Sequence, residues 1–213
     1  MHALACRALP HARLPGWCLA LLLAAANQAG LPVHAADQPT ATAIFAGGCF
    51  WCMEADFDKV PGVLSTTSGY TGGSLANPSY EQVSAGGTGH LEAVLVSFDP
   101  TRTSYARLLE AYWPNIDPLT ATGQFCDIGS QYRSAIFYAD AEQQRLAEAS
   151  KTALLNSGRF ERPVVTEILP ATTFYPAEEY HQNYYRKNPL RYRFYRTTCG
   201  RDARLAELWG ERR

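Results

Sequence analysis

Apolar positions along the chain fall into short alternating runs and helical stripes that succeed one another. Thr42-Ala43-Ile44-Phe45-Ala46 reads as a short buried strand running into Gly47-Gly48, and Phe50 to Phe57 then reads as a helix. Val63 to Tyr70 is β-rich, and Gly69 to Pro78 is a glycine-laden loop. His90 to Phe98 carries two alternating apolar sets, Leu91/Ala93/Leu95 and Val94/Val96/Phe98, so both faces of that strand are expected to be covered. Tyr105, Leu108, Leu109 and Tyr112 keep helical spacing, with Thr103 or Thr101 as the expected cap.

Tyr132 to Tyr138 reads as a further strand. Asp140 is placed to cap a helix whose apolar face is Leu146, Ala149, Ala153 and Leu154, with Gly158 just past its end. A strand over Pro163 to Leu169 and a helix over Ala177 to Tyr185 complete the pattern. Strands and helices alternate without an internal repeat, which predicts one α/β domain over 42–213. Residues 114–131 and 170–176 lack clear periodicity. Connections of that length in a compact domain are usually functional.

Residues 1–35 differ from the rest. They hold Arg7 and Arg13, no acid, and the ten-residue apolar run Trp17 to Ala26, followed by Val33-His34-Ala35. A basic start, a short apolar segment and small residues at a cleavage site read as a secretory signal cut after Ala35. The apolar run is too short to span a bilayer as a stable helix of about twenty residues. Residues 36–41 then form a polar linker, and the protein is expected to be exported, to a periplasm, with no membrane attachment once processed. The formal net charge of −1 becomes −3 without residues 1–35, so no basic excess exists to hold a nucleic acid.

The processed chain keeps Cys49, Cys52, Cys126 and Cys199. Cys49 opens a helix after two glycines, where the helix dipole and unpaired backbone N–H groups are expected to lower its pKa and favour the nucleophilic thiolate. Cys52 lies one turn on, at the spacing of a redox-active pair. A structural disulfide and a four-cysteine zinc site, the latter requiring Cys126 and Cys199 to converge, are the alternatives. Glu92 near the head of a buried strand is expected to have a raised pKa, which suits a general acid. Tyr80, Tyr132 and Asp127 fall in or beside the polar loops, where hydroxyls are available to hold an oxygen. His90 and His181 lack metal-ligand spacing and read as structural.

These residues recur in a known family. The chain resembles the A-type peptide methionine sulfoxide reductases over 43–209, through Gly48-Cys49-Phe50-Trp51, Gly69-Tyr70-Thr71-Gly72-Gly73 with Asn77-Pro78-Ser79-Tyr80, and Gly87-Thr88-Gly89-His90-Leu91-Glu92. Asp127-Ile128-Gly129-Ser130-Gln131-Tyr132-Arg133-Ser134 and Ala177-Glu178-Glu179-Tyr180-His181-Gln182 extend the resemblance. It implies an α/β roll: a ferredoxin-like mixed sheet core with helices and long irregular loops.

The resemblance also implies reduction of the S epimer of methionine sulfoxide, free or in oxidised proteins. Cys49 is then the nucleophile and Glu92 the acid. Tyr80 and Tyr132 donate to the sulfoxide oxygen, Asp127 is a further polar residue of the pocket, and Phe50 and Trp51 hold the methyl group. No bound cofactor or metal is implied; a thioredoxin-like thiol reductant is. Many members carry glycine where this chain has Cys52, and end in a tail with two cysteines where this chain has Cys199 alone. Cys52, Cys199 and Cys126 therefore all stand as candidates for the resolving thiol. The competing readings are a thiol–disulfide oxidoreductase using Cys49 and Cys52, and a sulfoxide- or peptide-binding module.

Overall fold

The computed structural model describes residues 39–210, so the expected secretory signal lies outside the described residues. The first strand β1 (Ala41–Gly47) begins at the last residue of the expected linker and runs into helix α1 (Phe50–Phe57). Then come β2 (Val63–Thr71), the short α2 (Tyr80–Ser84), β3 (Leu91–Phe98) and α3 (Tyr105–Tyr112). A two-stranded hairpin, β4 (Gly123–Gln124) with β5 (Asp127–Ile128), precedes β6 (Ser134–Tyr138) and α4 (Ala141–Asn156). The chain ends with β7 (Glu167–Pro170), β8 (Tyr175–Pro176), α5 (Tyr184–Lys187), α6 (Pro189–Thr198) and α7 (Arg201–Trp209).

The main sheet has the order β7-β6-β1-β3-β2-β8. Its four central strands pair antiparallel as β6-β1-β3-β2, the arrangement of a ferredoxin-like βαββαβ unit with α1 and α3 as its helices. β7 adds parallel to β6 and β8 antiparallel to β2, which makes the sheet mixed. Phe45, Val94, Val96 and Ile136 meet Phe50, Met53, Phe57, Leu108, Leu109 and Tyr112 on the helix side. On the opposite face Ala46, Leu91, Ala93 and Phe137 are covered by Leu169, Ala171 and Phe174. Both faces of β3 are thus buried. Because β3 and β6 run against β1, their first residues lie at the end of β1 from which α1 departs.

Several local expectations are corrected. Gly69, Tyr70 and Thr71 belong to β2, because they pair with Ala93, Glu92 and Leu91. Ser104 caps α3 by accepting from the Arg107 N–H, in place of Thr103 or Thr101. Residues Ser130–Tyr132 form a 3-10 turn, so the sixth strand starts only at Ser134. Asp140 does cap α4, but the buried side of that helix carries Ala147, flanked by half-buried Leu146 and Leu154; Ala149 and Ala153 are exposed. The strand expected from Pro163 is confined to Glu167–Pro170.

The helix expected over Ala177 to Tyr185 is a series of turns, with helical structure only from Tyr184. Its side chains are committed elsewhere. Glu178 accepts from the Tyr80 N–H and the Tyr70 hydroxyl, and Gln182 pairs with the main chain of Ser68. These bonds hold the segment as a loop against the edge of β2. No described helix is long and apolar enough to cross a membrane.

Candidate active site

The turn from β1 into α1 places Cys49 at the N-cap of α1. Gly48 has φ +83°, and a Cβ there would lie 2.6 Å from Cβ of Gln124. A Cβ on Gly47 would lie 2.5 Å from the Met53 sulfur. The turn therefore requires glycine at both positions. Behind it sits Arg201 of α7, 1% exposed, donating to the Gly47 and Asn115 carbonyls at 3.2 and 2.6 Å.

Cys49, Phe50, Trp51, Tyr80, Glu92, Asp127, Tyr132 and Tyr195 line one cavity of about 60 Å³. Every side chain assigned to the pocket from the sequence is brought together there. Glu92 arrives from the head of β3, Tyr132 from just before β6, Tyr80 from the start of α2 and Asp127 from the hairpin. Glu92 is 3% exposed, and its Oε2 accepts the Phe50 N–H at 3.0 Å. Burial, assisted by the nearby Asp127 and Cys52, pushes its pKa up to about 8 against the partial relief of that N–H, so the acid is largely protonated at neutral pH. Burial also raises Tyr80, to about 12, and raises Tyr132; both hydroxyls stay protonated as donors. Asp127 is raised by burial and lowered by hydrogen bonding from Tyr195 and by the charge of Arg201.

The expected depression of the Cys49 pKa is corrected. Burial first, then the Cys52 thiol and the carboxyls of Glu92 and Asp127, push it well above its ordinary value. The helix terminus is outweighed because Cys49 is buried, 6% exposed, and lies near the carboxyls of Glu92 and Asp127. Cys52 moves the other way, to about 7: its sulfur accepts from Cys49, and Arg201 and Arg196 add favourable charge that together outweigh its own burial.

Both Cys49 and Cys52 are free thiols, and Cys126 is bonded to Cys199. Cys126 and Cys199 do converge, then, but as a disulfide and not as thiolate ligands. Of the three candidates for the resolving thiol, Cys199 and Cys126 are bonded to each other, and Cys52 is a free thiol beside Cys49.

The apolar wall is fixed from outside. Trp51 Nε1 donates to His181 Nδ1 at 3.0 Å, and the indole stacks on Tyr184 at 3.7 Å and 6°. His181 in turn packs on Phe50 and Tyr80. His90 accepts from the Gly73 N–H and bonds Leu75 O, tying the glycine-rich loop to β3. The residue absent from the sequence reading is Tyr195. Its signal was a helix opened by Pro189 that carries Tyr195 four residues before Cys199, hence on one face with it.

Comparison with known proteins agrees with this geometry. The family model for peptide methionine sulfoxide reductase matches residues 41–213. The peptide methionine sulfoxide reductase MsrA of Halalkalibacterium halodurans is 54% identical over 169 residues, 79% of this chain and 96% of that protein. The MsrA of Bacillus subtilis is 54% identical over 168 residues, 79% of this chain and 95% of its own. Among solved structures, methionine sulfoxide reductase A of Corynebacterium diphtheriae aligns with a TM-score of 0.64 at 36% identity, over 72% of this chain and 78% of that one. Reduced Mxr1 of Saccharomyces cerevisiae aligns with a TM-score of 0.66 at 30% identity, over 70% and 86%. With the nucleophile turn, the buried acid and the aromatic wall all inside the matched segment, the chain belongs to the peptide methionine sulfoxide reductase family.

Proposed function

We propose that this protein reduces methionine-S-sulfoxide, free and in oxidised proteins, to methionine. The observation that carries the reading is the small cavity in which the Cys49 sulfur faces a buried, protonated Glu92, two tyrosine hydroxyls and the Phe50–Trp51 wall. An S–CH₃ group offers no hydrogen bonds and favours the aromatic wall. The sulfoxide oxygen is then directed toward Glu92, Tyr80 and Tyr132.

The Cys49 thiolate attacks the sulfoxide sulfur while the acid protonates the oxygen. Oxygen passes to Cys49, methionine leaves, and Cys49 becomes a sulfenic acid. Cys52 attacks that sulfenic acid, giving a Cys49–Cys52 disulfide and water. An external dithiol of the thioredoxin type then restores both thiols by exchange. Disulfide exchange alone, the competing reading, has no use for a protonated acid and two hydroxyl donors.

The proposed setting is the periplasm, with repair of oxidised envelope proteins as the role. Its support is the basic, apolar and small-residue pattern of 1–35, together with the Cys126–Cys199 disulfide, a bond that persists in oxidising compartments. Purified protein is to be incubated with dithiothreitol and a peptide carrying methionine-S-sulfoxide. Wild type is expected to turn over and Cys49→Ser to be inactive; turnover by Cys49→Ser overturns the assignment. Sequencing the exported protein from its amino end tests the cut after Ala35.

A further inference from the structure

Three consecutive residues of the β4–β5 hairpin are tied to the joint between α6 and α7 by three different interactions. The Arg201 guanidinium lies over the Phe125 ring, 4.5 Å from its centroid. Cys126 is bonded to Cys199, and its N–H donates to the Cys199 sulfur at 3.2 Å. The Tyr195 hydroxyl donates to Asp127 Oδ2 at 2.5 Å. Cys199 is the C-cap of α6, one turn after Tyr195, and Gly200 and Arg201 open α7 directly behind it. The covalent bond is the middle tie of the three.

The outer two ties end at the active site. Asp127 and Tyr195 line the cavity with Cys49, and Tyr195 stands edge-on to Trp51, 5.8 Å between centroids and 81° between planes. Arg201 donates to the Gly47 carbonyl in the turn before Cys49. The hairpin is a weak support by itself. It has two residues in each strand, Ile128 is 69% exposed, and Phe125 holds φ +55° in the region that favours glycine. Gln124 pins the first strand to the Asp117 main chain, and the second strand, which carries Asp127, is met by the joint.

On the reading proposed above, we infer that Cys126 and Cys199 are positioning residues: their disulfide holds Asp127 and Tyr195 on the cavity wall, so methionine sulfoxide binds well only while that bond is closed. The bond takes no part in the chemistry. Cys49 and Glu92 are set by the β1–α1 turn and by β3, and the Phe50 N–H joins the two without the hairpin. Opening the bond should therefore weaken binding and spare the chemical step. Opening requires two electrons and two protons. A phosphine supplies the electrons and leaves as its oxide with oxygen from water, the protons come from that water, and both cysteines become thiols. Cys126 is exposed, within reach of such a reagent. The pocket is then complete only in compartments where disulfides persist.

Two opened forms keep the test independent of folding. One is Cys126→Ser/Cys199→Ser. The other is wild type treated with a water-soluble phosphine that is then removed, with Cys49, Cys52, Cys126 and Cys199 all reacting as thiols. The reference is wild type with the bond closed and only Cys49 and Cys52 reacting. Without reductant, the methionine formed in the first turnover is followed against the concentration of a peptide carrying methionine-S-sulfoxide. Both opened forms are expected to need about tenfold more peptide for half saturation, the scale of one well-placed hydrogen bond, with a limiting rate within about threefold of the reference. A bond that only stabilises the fold would lower the melting temperature and leave the half-saturating concentration where it was, which overturns the proposal. A limiting rate that falls more steeply than binding overturns it too, because the pair would then belong to the chemistry. Failure of the functional reading looks different: wild type with the bond closed would form no methionine at any concentration.

Discussion

Glu92 Oε2 accepts the backbone N–H of Phe50, the first residue of α1, at 3.0 Å. An oxygen that accepts this bond does not itself carry the acidic proton. The proton therefore belongs on Oε1, the carboxyl oxygen free to serve the pocket. One bond both satisfies an orphan donor at the helix terminus and orients the acid.

Glu92→Gln tests that division of labour. The amide oxygen can keep the Phe50 bond, so the turn is retained, but no transferable proton is left. General acid catalysis is typically worth about 10²–10⁴-fold, and single-turnover sulfenic acid formation is expected to fall by that much at neutral pH. A loss below about threefold would move the acid role to water or a tyrosine.

The same carboxyl makes stability depend on pH. Its pKa rises from 4.5 to about 8 on folding, so between those values the folded state holds a proton that the unfolded state has lost. Its contribution is complete below 4.5 and is lost as pH rises through about 8. Wild type is expected to lose denaturant midpoint relative to Glu92→Gln across that window. Parallel pH profiles for the two proteins would show that the carboxyl titrates normally. Wild-type sulfoxide reduction is likewise expected to decline above about pH 8 as the acid ionises.

The thiol inventory gives a second test. Two free thiols, Cys49 and Cys52, accompany the Cys126–Cys199 disulfide. One equivalent of substrate without reductant should consume both thiols in wild type. In Cys52→Ser it should leave a Cys49 sulfenic acid that dimedone traps, with the Cys126–Cys199 bond intact by mass spectrometry. Loss of the sulfenic acid at the wild-type rate, with a new bond from Cys49 to Cys199 or Cys126, would give the resolving role to that pair.

The parts of this site written in local pattern were legible from sequence. The β1–α1 turn follows from Gly47-Gly48 before a helical run, and the burial of Glu92 follows from the two-faced apolar pattern of β3. Long-range relationships were not. The sign of the Cys49 shift depends on Glu92 and Asp127, which arrive from other strands. The Cys126–Cys199 bond joins residues 73 positions apart with no local signal. Helix α6 buries no side chain, and the buried face of α7 combines Leu205 with the charged Arg201, so apolar periodicity did not reveal them. The turns around His181 override helical propensity because Glu178 and Gln182 bond to β2 and α2 instead.

Trp51 is expected to affect recognition more than chemistry. Trp51→Ala removes one wall of the cavity and the stack on Tyr184. A methylene-sized apolar contact is worth about 1–3 kcal/mol, and kcat/KM is expected to fall about 10–200-fold, chiefly through KM. Trp51→Phe keeps an aromatic face and loses only the bond to His181, so its loss should be smaller. Unchanged kcat/KM in both Trp51→Ala and Phe50→Ala would place the methyl group elsewhere.

Arg201→Met separates scaffold from charge. Methionine fills much of the buried volume but leaves the Gly47 and Asn115 carbonyls without this donor. An unmet buried partner costs about 1–3 kcal/mol, so the urea midpoint is expected to fall accordingly. The guanidinium is also among the charges that draw the Cys52 pKa to about 7, so its loss should raise that pKa. At pH 7 fewer Cys52 sulfurs would then be thiolate, and the Cys49 sulfenic acid should persist longer. Raising the pH toward 8.5 is expected to restore the rate, because it restores the thiolate that the substitution removed. A slow resolving step that pH does not rescue would assign Arg201 to scaffold alone.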